Sequence, residues 1–390
     1  MQRFKSSAEM VRTNRPASSV ACYFPNAVSR KVRWFKKNFP GTTMFAVKTN
    51  PSPYIIETMV QDGLNHFDVA SLGEIETIYS ISPNAHMSFM HPVKSRLAIT
   101  KAYFEYGIRD FAFDCDDELQ KILECTNFAG DLNLIVRMAI ENKKSILPLS
   151  SKFGAYPYYA ASLLKKARPL ANKLGISFHA GSQCMKPNAY SNPLKTISKI
   201  VAKTGVELDI VDIGGGFPCH YPKLNPPNMI KYLETIKAAF TQIPGYEKME
   251  LWCEPGRVLV AESVSYIVKV ELRKKNILYL NEGTFGALYD AGNGVDFIFP
   301  TELVDRVSTK KLAPFKFYGP TCDSADFMPG PFMLPSDMKE GDYIEIKMLG
   351  AYGSTMRTKF NGFYSDETVI IDDKFPSLTR IPSCSGKTAA

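Results

Sequence analysis

From about residue 25 to residue 265, short apolar runs alternate with amphipathic stretches, and no other property of the chain narrows its fold as far. The eight runs are TMFAVK (43–48), NHFDVAS (65–71), HMSFMHP (86–92), IRDFAFDC (108–115), LNLIVRMAI (132–140), GISFHAG (175–181), ELDIVDIGGGFP (207–218) and KMELWCEPG (248–256). Each ends in small or polar residues. Most are followed by helical material such as GEIETIYSI (73–81), ELQKILECT (118–126) or AASLLKKARPLANKL (160–174). A strand that is apolar without alternation is covered on both faces, and strands that take turns with helices build a parallel sheet. The pattern predicts a (β/α)8 barrel over residues 25–265. An open doubly wound sheet is the alternative, but no GxGxxG follows an early strand.

Beyond residue 265 the texture changes. SVSYIVKVELRK (263–274), KNILYLNEG (275–283), FKFYGPTCD (315–323), DYIEIKMLGAYG (342–353) and ETVIIDD (367–373) read as strands separated by Gly/Pro turns. Residues 266–390 are therefore expected to form an antiparallel β-domain. SVACYF (19–24), in the N-terminal segment 1–24, is expected to join it. A chain of 390 residues exceeds what one core usually supports, which agrees with two domains.

Composition mainly excludes. With 45% hydrophobic and 22% charged residues the chain reads as a soluble globular protein. A net charge of +8 without a dense Lys/Arg tract argues against nucleic-acid binding. No apolar run is long enough to span a bilayer, and the N-terminus reads as a short basic arm rather than a transit peptide. The eight cysteines and five histidines show no metal-binding or disulfide spacing. No metal is expected, and reduced thiols in the cytoplasm are.

Four local features could carry chemistry. The triplet Gly214-Gly215-Gly216 follows a strand, where backbone N–H groups can converge on an anion; a tight turn explains it equally well. Cys253-Glu254-Pro255-Gly256-Arg257 ends another strand with an acid and a base three residues apart, a pattern a surface ion pair would also give. His179 stands at a strand end among small residues, where structural histidines are common. Lys48 ends an apolar strand; desolvation would depress its amine and make it nucleophilic, although most strand-end lysines simply reach for water. Taken together, the four are the parts of a pyridoxal-phosphate site.

Here the sequence resembles the alanine-racemase-like (fold type III) pyridoxal-phosphate decarboxylases, and among them the ornithine/lysine decarboxylases. The resemblance rests on FAVKTN (45–50), HFDVASLGEIE (66–76), VRMA (136–139), SKFGA (151–155), SFHAGS (177–182), DIGGGFP (212–218), EPGR (254–257), YGPTCDSAD (318–326) and LGAYGSTMRTKFNGF (349–363). It implies pyridoxal 5'-phosphate held as a Schiff base on Lys48, with His179 stacked on the ring and Glu254 paired with the ring nitrogen. Ser182, Gly214, Gly215, Gly216, Arg257 and Tyr352 are the implied phosphate ligands. Asp68 and Arg137 border the Schiff base and ring hydroxyl, and Glu74 supports them. The resemblance also implies a homodimer with shared sites, in which Cys322 of one chain protonates the substrate carbon opposite Lys48 of the other. Asp323 would bind the distal amine, and Asp326 would pair with Lys152 across the subunits.

The expected reaction is decarboxylation of L-ornithine to putrescine, a step of polyamine biosynthesis, with lysine to cadaverine beside it. Diaminopimelate enzymes carry CE where this chain has Cys322-Asp323, and an aspartate suits a bare ammonium. The second acid for that amine is expected to be Asp290 in LYD (288–290), with Asp296 as the alternative, since about three residues are missing just before it. Arginine or diaminopimelate decarboxylation remain alternatives. A racemase would need an arginine where Glu254 stands, and a non-catalytic homologue would have lost the cofactor contacts.

Overall fold

The computed structural model describes residues 1–140, 145–147, 152–292 and 294–372. Cys384, and with it the end of the expected β-domain, lies outside them.

Eight parallel strands form a ring: Thr42–Thr43 continuing as Phe45–Ala46, His66–Val69, His86–Phe89, Asp110–Phe113, Asn133–Arg137, Lys173–Ser177, Ile210–Asp212 and Glu250–Cys253. The first stretch closes it, since Thr42 and Thr43 pair with Trp252 and Cys253 while Phe45 and Ala46 pair with Phe67 and Asp68. Helices cover the outside, and Pro25–Asn38 precedes the first strand. That helix begins on Pro25, whose missing N–H costs nothing in a first turn, and it buries Val28, Val32 and Phe35. Phe111 and Phe113 are wholly buried; each such side chain contributes about 1.5–3 kcal/mol of transfer free energy.

One predicted helix is shorter than its sequence suggested. AASLLKKARPLANKL is helical only through Ala167 of the helix Pro157–Ala167, then turns through Arg168–Leu170, and Lys173 opens the next strand. Pro169 lacks the N–H that would continue the α-helical ladder.

The second sheet is mixed and mostly antiparallel. Val264–Lys274 is its spine, pairing antiparallel with Val20–Tyr23, Ile277–Leu280 and Tyr343–Ile346. The N-terminal strand Val20–Tyr23 thus sits in this sheet. Three pairings are parallel, among them Ile277–Leu280 with Leu312–Tyr318. The sequence reading omitted Phe327–Pro335, whose prolines and glycine look like a breaker; it ends the strand order, where prolines are tolerated. No helix among the described residues is long and apolar enough to cross a membrane.

Candidate active site

Side chains alternate along a strand, so each barrel strand presents one residue in two to the interior. At the C-terminal mouth this places Lys48, Asp68, Arg137, Asp212 and Glu254 around one space. Lys48 lies in the turn Val47–Thr49 directly after its strand, and its Nζ donates to Asp68 Oδ2 at 3.0 Å. Asp68 is buried, whereas the Lys48 side chain is 43% exposed. Burial pulls the amine down, but Asp68, then Glu254 and Tyr352, outweigh it and hold Lys48 above its ordinary value. The depressed amine expected from desolvation alone is therefore not found: a lysine with a carboxylate 3.0 Å away keeps its proton.

The helix behind Asp68 starts on a reciprocal cap. Ser71 Oγ accepts from the Glu74 N–H at 3.2 Å, and Glu74 Oε2 accepts from the Ala70 N–H at 2.7 Å. Glu74 thereby fixes the strand end that carries Asp68.

His179 follows the strand Lys173–Ser177. Its Nδ1 accepts from the Gly181 N–H at 3.0 Å, so Nε2 carries the hydrogen of the neutral ring. Burial, then Arg137 and Lys48, push this imidazole well down, which keeps it neutral.

The glycine triplet is bound by its carbonyls. Glu254 N–H donates to Gly214 O at 2.9 Å, Tyr190 OH to Gly215 O at 3.0 Å and Cys184 N–H to Gly216 O at 2.9 Å. Gly214 and Gly216 have φ of +66° and +96°, and a Cβ on either would stand 2.2 Å from a backbone oxygen. No other residue fits there. Ser182 opens a two-stranded ladder, opposite Leu147.

Asp212 received no role from the sequence, yet it is wholly buried beside Glu254. Its Oδ1 accepts from the Gly214 N–H at 2.8 Å. Burial, then Asp212 and Asp68, push Glu254 well above the usual carboxylate range. Two adjacent buried carboxyls cannot both ionise, so one proton is held between them. Beyond that shared proton, Asp212 Oδ2 and Glu254 Oε1 have no hydrogen-bond partner among the described residues, and Arg257 Nε is buried with none. Among the described residues, the unspent capacity thus includes an acid pair and a guanidinium on neighbouring strand ends. That fits a pyridine nitrogen and a phosphate, each of which would satisfy one of them.

Arg257 donates to Tyr221 OH at 3.2 Å and to Asp290 Oδ2 at 3.1 Å, and its guanidinium lies 5.0 Å from the Tyr352 ring centre. Asp290, expected at the substrate's distal amine, is thus buried in an ion pair with the expected phosphate residue. Asp296 is exposed, in a left-handed turn at φ 52°.

Cys322 and Asp323 are exposed on the loop after Leu312–Tyr318. Among the described residues, none of their hydrogen bonds or ion pairs reaches Lys48, His179 or Glu254. Asp326 is buried and organises that loop, accepting from Thr284 N–H (2.7 Å), Thr284 Oγ1 (3.1 Å), Thr321 N–H (3.1 Å) and Thr321 Oγ1 (2.8 Å). Both its oxygens are thus engaged within its own chain, which leaves little capacity for the expected pair with Lys152. A second residue the sequence did not single out is Asn361, whose Oδ1 meets Cys322.

Residues 26–261 match the model of the pyridoxal binding domain of pyridoxal-dependent decarboxylases. Over 390 residues the chain is 30% identical to the lysine/ornithine decarboxylase of Selenomonas ruminantium, covering 96% of this chain and 95% of that one. The lysine/ornithine decarboxylase of Vibrio vulnificus, solved with putrescine and with cadaverine, superposes with a TM-score of 0.80 at 27% identity, covering 95% of this chain and 99–100% of that one. The arginine decarboxylase of Paramecium bursaria Chlorella virus gives a TM-score of 0.82 at 25% identity, covering 93% of this chain and 97% of that one.

Proposed function

This chain belongs to the pyridoxal-dependent decarboxylases, and from that premise we propose that it converts L-ornithine to putrescine and L-lysine to cadaverine, releasing CO2. The observation that carries the diamine reading is the exposed Cys322-Asp323 pair. Among the described residues Asp323 Oδ1 accepts from its own loop, at Ala325 N–H (2.8 Å), and its exposed carboxylate can meet a bare ammonium. The Vibrio relative's two bound diamines support the same class.

On this reading the amine of Lys48 holds the cofactor, and Glu254 meets its ring nitrogen. His179 would cover the ring, and Arg137 and Asp68 would border it. The amides of Gly215 and Gly216, with Ser182, Arg257 and Tyr352, would take the phosphate, whereas the Gly214 N–H is held by Asp212 Oδ1. Pyridoxal phosphate supplies the electron sink into which the bond to the departing carboxylate empties. Lys48 must first lose a proton, and Asp68 Oδ2 at 3.0 Å is the acceptor within reach. Glu254, sharing its proton with Asp212, presents O–H rather than bare charge to a basic nitrogen. Neutral His179 adds no second positive charge to the ring face. Cys322 then gives its S–H hydrogen to the substrate carbon.

We also propose a homodimer, with Cys322 and Asp323 of each chain serving the barrel of the other. Among the described residues neither makes a hydrogen bond or ion pair to Lys48 of its own chain, which supports this, as do exposed Met356, Phe360, Phe363 and Tyr364 around Asn361. We place the enzyme in the cytoplasm, in agreement with seven cysteines among the described residues that form no disulfide with one another.

The deciding experiment is a comparison of kcat/KM for ornithine, lysine and arginine. Ornithine and lysine, which differ by one methylene, should lie within about 200-fold of each other and arginine well below both, since one methylene in a pocket discriminates by about 10–200-fold. A preference for arginine would overturn the diamine reading in favour of an agmatine-forming enzyme.

A further inference from the structure

We infer that Asn361 is the positioning residue that orients the Cys322 thiol for proton delivery. This rests on the reading of Cys322 as proton donor. Asn361 Oδ1 lies 3.2 Å from the Cys322 amide nitrogen and 3.3 Å from its Sγ. A carbonyl oxygen can only accept, so the thiol brings its hydrogen to Asn361 and one oxygen fixes both the backbone and the side chain of Cys322. The position of Sγ is thereby set before substrate arrives, and the S–H turns from Asn361 to the substrate carbon at transfer.

The backbone at Asn361 suits this task. Asn361 and Gly362 are both left-handed, with φ of 52° and 76°. Asparagine is among the few residues other than glycine that adopt this conformation readily. A two-residue Asn-Gly turn projects the amide outward from a tight bend.

The turn is in turn anchored. Thr358 N–H and Oγ1 donate to Phe285 O at 2.8 and 3.1 Å, and the Phe285 and Phe360 rings lie 5.0 Å apart. Phe285 belongs to the same loop as Thr284, which donates twice to Asp326 in the Cys322 loop. Three loops are therefore tied together: Asn361 holds Cys322, and Asp326 holds the adjacent Thr321. The transfer itself is simple: the S–H bond breaks, its hydrogen leaves as a proton to the substrate carbon that keeps the electrons of the lost carboxylate bond, and sulfur is left as thiolate.

The test uses holoenzyme carrying Asn361→Gly, which removes the amide yet accepts the left-handed backbone, and Asn361→Asp, which restores an oxygen acceptor. Iodoacetamide alkylation of Cys322, followed by peptide mapping, reports the thiol directly. Decarboxylation in deuterium oxide, with the stereochemical purity of deuterium at the new C–H position, reports its orientation. Asn361→Gly should change the alkylation rate roughly fivefold, the scale of one lost hydrogen bond, and lower the deuterium purity while KM stays within about twofold. Asn361→Asp should recover most of the purity. Wild-type alkylation and purity in Asn361→Gly would overturn the assignment. Wild-type purity and turnover in Cys322→Ala would instead remove Cys322 as the donor, whatever Asn361 does to its alkylation.

Discussion

The two mouths of the barrel are built from the same strands and the same inward-facing register, yet they treat charge in opposite ways. At the N-terminal mouth, Asp110 accepts from Ser88 Oγ at 2.6 Å and Asn133 Nδ2 at 2.7 Å, and meets His86 Nε2 at 2.5 Å. Glu250 accepts from Lys173 Nζ at 2.5 Å and from Trp252 Nε1 at 3.0 Å. Among the described residues there, His66 Nδ1 is the one buried polar side-chain atom without a partner. At the C-terminal mouth, Glu254 Oε1 and Asp212 Oδ2 have nothing beyond the proton they share, and Arg257 Nε is buried without a partner among the described residues. An unpaired buried polar group is destabilising, and such groups persist where a bound molecule completes them. The N-terminal mouth thus holds the fold, and the C-terminal mouth stores capacity for a ligand.

That contrast can be broken. Lys48→Ala should lower CO2 release by a factor on the order of 10³, since it removes the group proposed to hold the cofactor, with little change in unfolding temperature. Mixed with Cys322→Ala, it should recover about a quarter of wild-type activity, because half of randomly paired dimers would carry one complete site. No recovery despite subunit exchange, read in coupled CO2 assays, would argue against shared sites. Glu254→Gln should cost roughly 10² in kcat, the scale of a lost electrostatic contact to a developing charge. It should leave stability equal or better, because a buried raised acid is replaced by a neutral amide; a large loss in urea unfolding would refute the stored-capacity view.

The effects at the other mouth should fall on stability. Asp110→Ala strands three donors and should cost about 2–3 kcal/mol in denaturant unfolding, while kcat of the folded enzyme stays near wild type. The smallest effect concerns His86, whose imidazole is raised from its ordinary 6.5, first by the hydrogen bond to Asp110. Its contribution is full below 6.5 and fades as pH rises through the raised folded value. Asp110 is lowered overall from 3.8 because, against burial, His86, Ser88 and Asn133 favour its charge, so its share is lost only as pH falls through that depressed value. Half-exposed His86 loses much of this to solvent, so His86→Ala should differ from wild type by roughly 1–2 °C in Tm near pH 6 and by less near pH 9. A gap that widens with pH would reverse the assigned direction.

Much of the barrel was legible because the strands carry their own signal. Eight apolar runs bounded by small residues correspond to the eight strands, and the strand ends that bear Lys48, Asp68, His179, Gly214 and Glu254 are where motifs could be read locally. The edge strand Phe327–Pro335 escaped because its prolines obey a positional rule that only the finished sheet reveals. Asp212 escaped because an acid before a glycine triplet looks like part of a turn. Its partner Glu254 is brought near by the pairing of Asp212 with Trp252 on the adjacent strand.

By itself, then, the sequence determined the succession of strands and helices and the residue types at each strand end, because alternation and glycine placement are local physical requirements. Only the tertiary structure decided the pairings: Lys48 raised by Asp68 rather than depressed by burial, Arg257 joined to Asp290 33 residues away, and Cys322 joined to Asn361 39 residues away. Proton affinity and thiol orientation depend on which charges and carbonyls come within about 3–4 Å, and no periodicity in a chain encodes that distance.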